Sequence, residues 1–333
     1  MNRILSAILA LQVALLAALY WPRSSGPVSA GALLAEMAGD APRRISIEGG
    51  DAQNVTLTRN ADSAEWQLAS GLPADEAKVA TLLEALTERD PGFAIADSAG
   101  AAARFQLGDD AFERRIRLAD ADTELAVYLG SSPSFRKIHA RREGESAVYV
   151  LELNSYDAPT TENDWLDRSL LAVRNIDALT LYGIDFELGS EGWTRGDGGA
   201  VDAAAMEPLV QALANLRVSA RVEDGDENAA AAEESLRLDA RSGDTGTGLV
   251  LLAHSDTEDD IERYYLSSDR YAGVFDTSAY DAERLIEAAR RLAGLPALED
   301  EPDNAEPAVD AIDGAGAVEN TTDDTITVPP SEF

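Results

Sequence analysis

His139 and His254 are the only imidazoles in the chain, and there is no cysteine. Thiolate nucleophiles, iron–sulfur clusters, cysteine-ligated zinc and sites needing several imidazoles are therefore excluded by count. His139 lies in the alternating stretch Lys137-Ile138-His139-Ala140-Arg141-Arg142. Acid–base work would need a carboxylate or nucleophile placed beside it. None is near in sequence, so it reads as a solvated strand histidine. His254 precedes Ser255-Asp256, but neighbours on a strand point to opposite faces, so a Ser-His-Asp set would not converge there.

The more conspicuous chemistry is basic. Arg136, Lys137, Arg141 and Arg142 cluster, with Arg114, Arg115 and Arg117 upstream. Such a group can receive an anionic sugar, a lipid headgroup or an acidic partner surface, or neighbouring carboxylates can neutralise it. Arg136, Lys137, Arg141 and Arg142 are the candidate anion or partner contacts; no residue is assigned to catalysis, a cofactor or a metal. Asp120, Asp122 and Glu124, and the run from Glu223 to Glu227, offer oxygens to calcium but lack the central glycine and terminal bidentate Glu of a dedicated loop. Phosphate-cradling glycine loops, the nucleophile elbow and the metalloprotease helix motif do not occur. Arg195-Gly196-Asp197-Gly198-Gly199 reads as a turn.

The bulk charge restricts partners further. Asp and Glu number 61 against 27 Lys and Arg, a formal net charge of −34. A phosphate backbone would be repelled, so nucleic acid is not expected as a partner. Anionic headgroups are repelled too, so membrane attachment must come from an apolar segment. Ile4 to Trp21 supplies one: 18 residues interrupted only by Ser6 and Gln12. As a helix it would reach ~27 Å, against a ~30 Å hydrocarbon core. Tyr20 and Trp21 suit the headgroup layer, and Pro22 with Arg23 ends the run. The expectation is a single N-terminal transmembrane helix, with the body in the periplasm and the inner membrane as its first partner. The alternatives are a signal peptide cleaved after Val28-Ser29-Ala30, which exports the body as well, or a buried core helix.

The elements that must position the basic cluster occur twice. Ile45-Ser46-Ile47 and Val55-Thr56-Leu57-Thr58 alternate as strands around a Gly-Gly-Asp turn, and Trp66-Gln67-Leu68 follows. Ile176 to Leu181, Ile184 to Leu188 and Trp193 repeat that order. After each tryptophan comes a helical stripe: Val79, Leu82, Leu83 and Leu86, then Met206, Leu209, Val210 and Leu213. These four pairs and the tryptophan pair share one offset, 127 residues. Pro208 suggests that the second helix starts a turn late. Later strands are expected at Leu125–Leu129, Val148–Leu151, Leu249–Ala253 and Gly273–Phe275, and Tyr156-Asp157-Ala158 matches Tyr280-Asp281-Ala282 at an offset of 124. Terminal helical segments are expected over Trp165–Leu171 and Ala282–Leu292. The matched Trp66 and Trp193, and Tyr156 and Tyr280, read as packing residues.

The predicted class is α+β: two tandem repeats of antiparallel strands, each with one main amphipathic helix, preceded by the transmembrane helix. Boundaries fall at 1–23 for the anchor, 24–43 for a linker, 44–171 and 172–295 for the repeats, and 296–333 for a tail. The tail has eleven acidic residues and no Lys or Arg, a composition that reads as disordered.

An anchor before a doubled unit of this kind resembles the bacterial domain-of-unknown-function family 4340 (DUF4340). The residues carrying the resemblance are Ile45 to Leu57, Trp66-Gln67-Leu68, Pro73-Ala74-Asp75, Leu82 to Leu86, Leu129-Gly130-Ser131, Val148-Tyr149-Val150 and Trp165 to Leu171. The match covers roughly residues 44–290, and departs in the second copy where His254 stands for Gly130. It implies a membrane-anchored extracytoplasmic protein that works beside an ABC-type transporter or envelope complex, with no catalytic residue. The expected function is thus a non-enzymatic accessory or scaffold. The alternative is an extracytoplasmic hydrolase or glycan-binding protein built on paired carboxylates.

Overall fold

The alternation at Ile45 and Ile47 builds the first strand of a computed structural model that describes residues 31–39, 42–60, 62–256 and 261–296. In β1 (Arg44–Gly49) both isoleucines are buried, while Arg44, Ser46 and Glu48 lie on the other face. It pairs with β2 (Asn54–Arg59) on one side and β5 (Arg114–Ala119) on the other, both antiparallel. With β3 (Trp66–Leu68), β4 (Ala96–Asp97), β6 (Glu124–Leu129), β7 (Ile138–Arg142) and β8 (Ala147–Leu151) these make an eight-stranded sheet, order β3-β2-β1-β5-β6-β7-β8-β4.

A second sheet of eight strands follows the same plan. Its members are β9 (Ala178–Leu181), β10 (Ile184–Gly189), β11 (Gly192–Arg195), β12 (Val218–Arg221), β13 (Glu233–Ser242), β14 (Thr245–Asp256), β15 (Ile261–Ser268) and β16 (Val274–Thr277). They run in the order β11-β10-β9-β13-β14-β15-β16-β12, the first order with every strand replaced by its counterpart. The α+β expectation is corrected by these sheets: the protein is mostly β, with few helices. Strands of two to four residues, such as β4 and β12, are too short to show a period of two, so the sequence pattern undercounted them.

The main helices are α1 (Glu76–Thr87) and α4 (Ala203–Ala214). Asp75 caps α1 by accepting from the Lys78 amide at 3.0 Å, and Asp202 caps α4 at Ala204. Val79, Leu82 and Leu86 of α1, and Met206, Leu209 and Leu213 of α4, are buried, each such side chain worth about 1.5–3 kcal/mol. Pro208 does not delay α4; it sits inside the helix, where the carbonyl it leaves without an amide, that of Ala204, belongs to an exposed residue. Shorter helices α2 (Ala99–Arg104), α3 (Glu162–Trp165) and α5 (Glu227–Ala231) and the long α6 (Ala279–Ala293) complete the set. The helix expected over Trp165–Leu171 ends at Trp165: Leu166 bridges Ala74, and residues 168–171 form turns in which the Leu170 amide donates to Asp167 and the Ala172 amide to Ser169.

This connector joins the sheets. The Asp75 amide donates to the Trp165 carbonyl at 2.8 Å, and the Asp167 amide to that of Pro73 at 3.0 Å. Beyond, the Val218 amide of β12 donates to Arg168 at 2.9 Å. Both sheets belong to one compact unit running to Pro296, and residues of both repeats share one apolar core. Leu33, Leu34 and Met37 dock into it. A smaller cluster of Ala101, Leu107, Tyr128 and Val148 covers the other face of sheet 1. Among the described residues no helix is long and apolar enough to cross a membrane. The expected anchor, Ile4 to Trp21, and the tail from residue 297 lie outside the described residues.

Candidate functional site at the basic end of the first sheet

Strand alternation scatters the basic cluster. On β7, Ile138, Ala140 and Arg142 face the main core side, and His139 and Arg141 face the smaller cluster. The buried Arg141 guanidinium donates to the carbonyls of Leu107 at 2.8 Å and Glu145 at 3.0 Å, and lies 2.5 Å from an Asp109 carboxylate oxygen. It also stacks 4.7 Å over the Tyr128 ring. The Tyr128 hydroxyl donates to Glu143 at 3.0 Å; burial first, then this bond, pushes its pKa up to about 12. Glu143 also takes Arg115 in an ion pair. Arg142 points the other way, to Glu36 at 2.9 Å, and helps pin the N-terminal segment. Glu36 is held below the usual carboxylate range by its own backbone amide first and by Arg142 second. Arg117 pairs with Glu48 and Glu124, and Arg114 binds the Ala158 and Glu113 carbonyls. These arginines are structural.

Arg136 and Lys137 are different. They sit in a turn closed by the Lys137 amide donating to the Ser134 carbonyl at 3.1 Å, with the Ser132 hydroxyl 3.0 Å from the Ser134 carbonyl and 2.5 Å from that of Lys137. Arg136 takes the left-handed conformation at φ 55°, a conformation this tight turn demands of its third residue. Both side chains are exposed, and no ion pair holds either among the described residues. Phe135, between them and Ser134, is 89% exposed. Beside this tip runs a groove of about 460 Å³ lined by Arg89, Asp90, Pro91, Lys137, Val150, Leu151 and Glu152. Its Arg89 is committed to Glu84 at 3.1 Å. The tip therefore presents an ammonium, a guanidinium and an exposed ring, a combination suited to holding a carboxylate or phosphate next to an apolar group. The groove beside it mixes apolar Val150 and Leu151 with the Asp90 and Glu152 carboxylates.

His139 is not the solvated residue expected from its alternating stretch. It is 7% exposed, its Nδ1 is 3.1 Å from the Ser131 hydroxyl, and its ring stacks on Phe105 at 4.2 Å. Among the described residues no carboxylate hydrogen-bonds its other ring nitrogen. Ser131 also lies 3.3 Å from the Phe105 carbonyl, so the pair staples the 105–107 loop to β7. Asp120 receives the Asp122 and Thr123 amides, and Asp226 caps α5 at Ala229. Among the described residues no group of three or more His, Cys, Asp or Glu could hold a metal. Tyr156 and Tyr280 are exposed, not packed; Tyr156 lies in a short 3-10 turn over Ser155–Asp157 and Tyr280 in the first turn of α6. The reading of residues by type missed Phe135, Arg89 and the groove; the Pro133-Ser134-Phe135-Arg136 run, an aromatic inside a turn signal, was the available hint.

The fold is thus a doubled antiparallel sheet that carries one basic, aromatic tip. The chain belongs to the family described as Domain of unknown function (DUF4340), which it matches over residues 66–240. Neither the curated proteins nor the solved structures contain a match.

Proposed function

We propose that this protein is a non-catalytic accessory or scaffold of a cell-envelope complex, attached to the inner membrane through residues 4–21 and extended into the periplasm. Its partner, on this reading, is an integral-membrane component such as that of an ABC-type transporter, met through the tip and groove of sheet 1. The observation that carries the reading is the Phe135-Arg136-Lys137 tip: a bulky aromatic exposed on a hydrogen-bonded turn, beside two cations that no described residue ion-pairs, in a chain of net charge −34. Holding such a side chain rigidly in water gains nothing for the fold, whereas a preorganised aromatic and guanidinium are what interface centres use. The arginines deeper in the cluster are committed to carbonyls and carboxylates, so contact falls to Arg136 and Lys137.

Co-purification of the full chain in mild detergent tests this. The wild type should recover an integral-membrane protein that the double variant Arg136→Glu, Lys137→Glu loses. Equal recovery by both would reject the tip as the contact.

A further inference from the structure

Segments far apart in the sequence of the first repeat meet in an open pocket of about 430 Å³. Asp51 and Gln53 come from the β1–β2 turn, Lys78 from the first turn of α1, Arg114 from the start of β5, and Tyr156 and Asp164 from the stretch that follows β8. None of these lines the groove beside the tip. The polar groups are held in place: the buried Thr160 hydroxyl donates to the Gln53 side-chain oxygen at 3.1 Å, and the Thr161 hydroxyl to an Asp164 carboxylate oxygen at 2.6 Å. Lys78 donates to the Asp164 carbonyl at 2.8 Å and Arg114 to that of Ala158 at 3.2 Å, and no described carboxylate ion-pairs either cation. At the rim Tyr156 is 85% exposed on a turn that Asn154 and Asp157 fix by reciprocal capping bonds.

Sheet 2 keeps the same strand order without these groups. The β1–β2 turn, residues 50–53, is matched by Tyr182 and Gly183 alone. Lys78 is matched by Ala205 at the 127-residue offset of the helices. Arg114 is matched by Leu236, because the pair Ile47 and Ile116 occupies the place that Leu181 and Leu238 take in the other sheet. Tyr280, the counterpart of Tyr156, has the Arg284 guanidinium 5.2 Å over its ring, whereas no described residue stacks on Tyr156. The sheet therefore forms without the side chains that make this pocket.

We propose that the pocket binds a neutral sugar, with the C–H face of its ring on Tyr156 and its hydroxyls on Asp51, Gln53, Lys78 and Asp164. The inference goes beyond the partner reading and does not rest on it. Two carboxylates balance two cations in the lining, so an anion or a cation would each meet like charge. A hydroxyl both donates and accepts, so a sugar can pair with every group without adding charge. The volume lies within the roughly 300–1,000 Å³ of small-ligand sites, and an exposed tyrosine ring offers the flat apolar face that such sites add to a few fixed polar groups.

The test is saturation-transfer NMR on the full chain in a sugar-free polyoxyethylene detergent, titrated with maltose, lactose, mannobiose and diacetylchitobiose. At least one should bind saturably, with the strongest transfer to ring C–H protons. Its affinity should fall at least about tenfold in Tyr156→Ala and in Gln53→Ala, and hold in Tyr156→Phe, in Tyr280→Ala and in the double variant Arg136→Glu, Lys137→Glu. Tyr156 and Gln53 are exposed, so melting temperatures should stay at the wild-type value. Saturable binding by none of the four sugars, binding indifferent to Tyr156→Ala, or equal loss in Tyr280→Ala would overturn the proposal. So would displacement of the sugar by inorganic phosphate or by glycine at equal concentration, which would assign the pocket to an anion or a zwitterion.

Discussion

The side-chain amide of Asn163 imitates a strand against Arg221: its oxygen accepts the Arg221 amide at 2.8 Å and its nitrogen donates to the Arg221 carbonyl at 3.3 Å. Two bonds thus fasten the connector of the first repeat to the outermost strand of the second. Asn163→Ala should cost about 1–2 kcal/mol in urea unfolding of the full chain. Asn163→Asp should cost more, because it keeps the acceptor but turns a carboxylate toward the Arg221 carbonyl. A smaller loss in the aspartate variant than in the alanine variant would contradict the clasp.

Gly130 is fixed by a close approach. A Cβ there would sit 2.0 Å from the Phe105 carbonyl oxygen and 2.6 Å from that of Gln106, both backbone atoms that cannot swing aside. Gly130→Ala should therefore destabilise by about 3 kcal/mol or more and free the 105–107 loop. The check is a thermal melt together with hydrogen exchange at the Ser131 amide, which now donates to Phe105 at 2.9 Å.

The basic cluster should separate into two kinds of residue. Arg141→Met strands the Leu107 and Glu145 carbonyls, and should cost about 2–3 kcal/mol of stability. Arg136→Ala and Lys137→Ala should change stability by less than about 0.5 kcal/mol while weakening partner recovery. Chemical denaturation of the three variants side by side distinguishes the roles.

Asp276 carries a pH signature. Burial first, then the Asp226 carboxylate, raise its pKa above the ordinary 3.8, against a lowering by Arg263. The folded state then binds this proton more tightly than the unfolded state, so ionising it costs stability. For this group stability is highest below pH 3.8 and falls as pH rises through the raised value. Asp276→Asn should raise the melting temperature at neutral pH and lose that advantage below pH 3.8. An advantage that grows on acidification would have the wrong sign.

The leucine stripes were legible because a buried helix face repeats its apolar residues over several turns; Val79, Leu82 and Leu86 are all fully buried. Trp66 and Trp193 matched in sequence, yet Trp66 is 3% exposed while Trp193 is half-buried. The difference is tertiary: the connector lies outside β3, whereas no described segment lies outside the Ala200 bridge on β11. For the same reason the segment after Trp165 reads as helix but leaves it at Leu166, which bridges Ala74 in place of continuing the helix. The basic cluster was visible as composition. Its division into buried Arg141, tethering Arg142 and exposed Arg136 and Lys137 depended on which face each strand residue takes and on a turn that follows β6, and a register is not written in residue types alone.

A photo-crosslinking amino acid placed at Phe135, and separately at Leu188 of β10, tests the assignment of the partner surface most directly in intact membranes. The account predicts one integral-membrane adduct at position 135, abolished by Lys137→Glu, and none at position 188. Adducts of equal yield at both positions, or an adduct at 135 indifferent to Lys137, would show that the basic end of sheet 1 is not where this protein meets its partner.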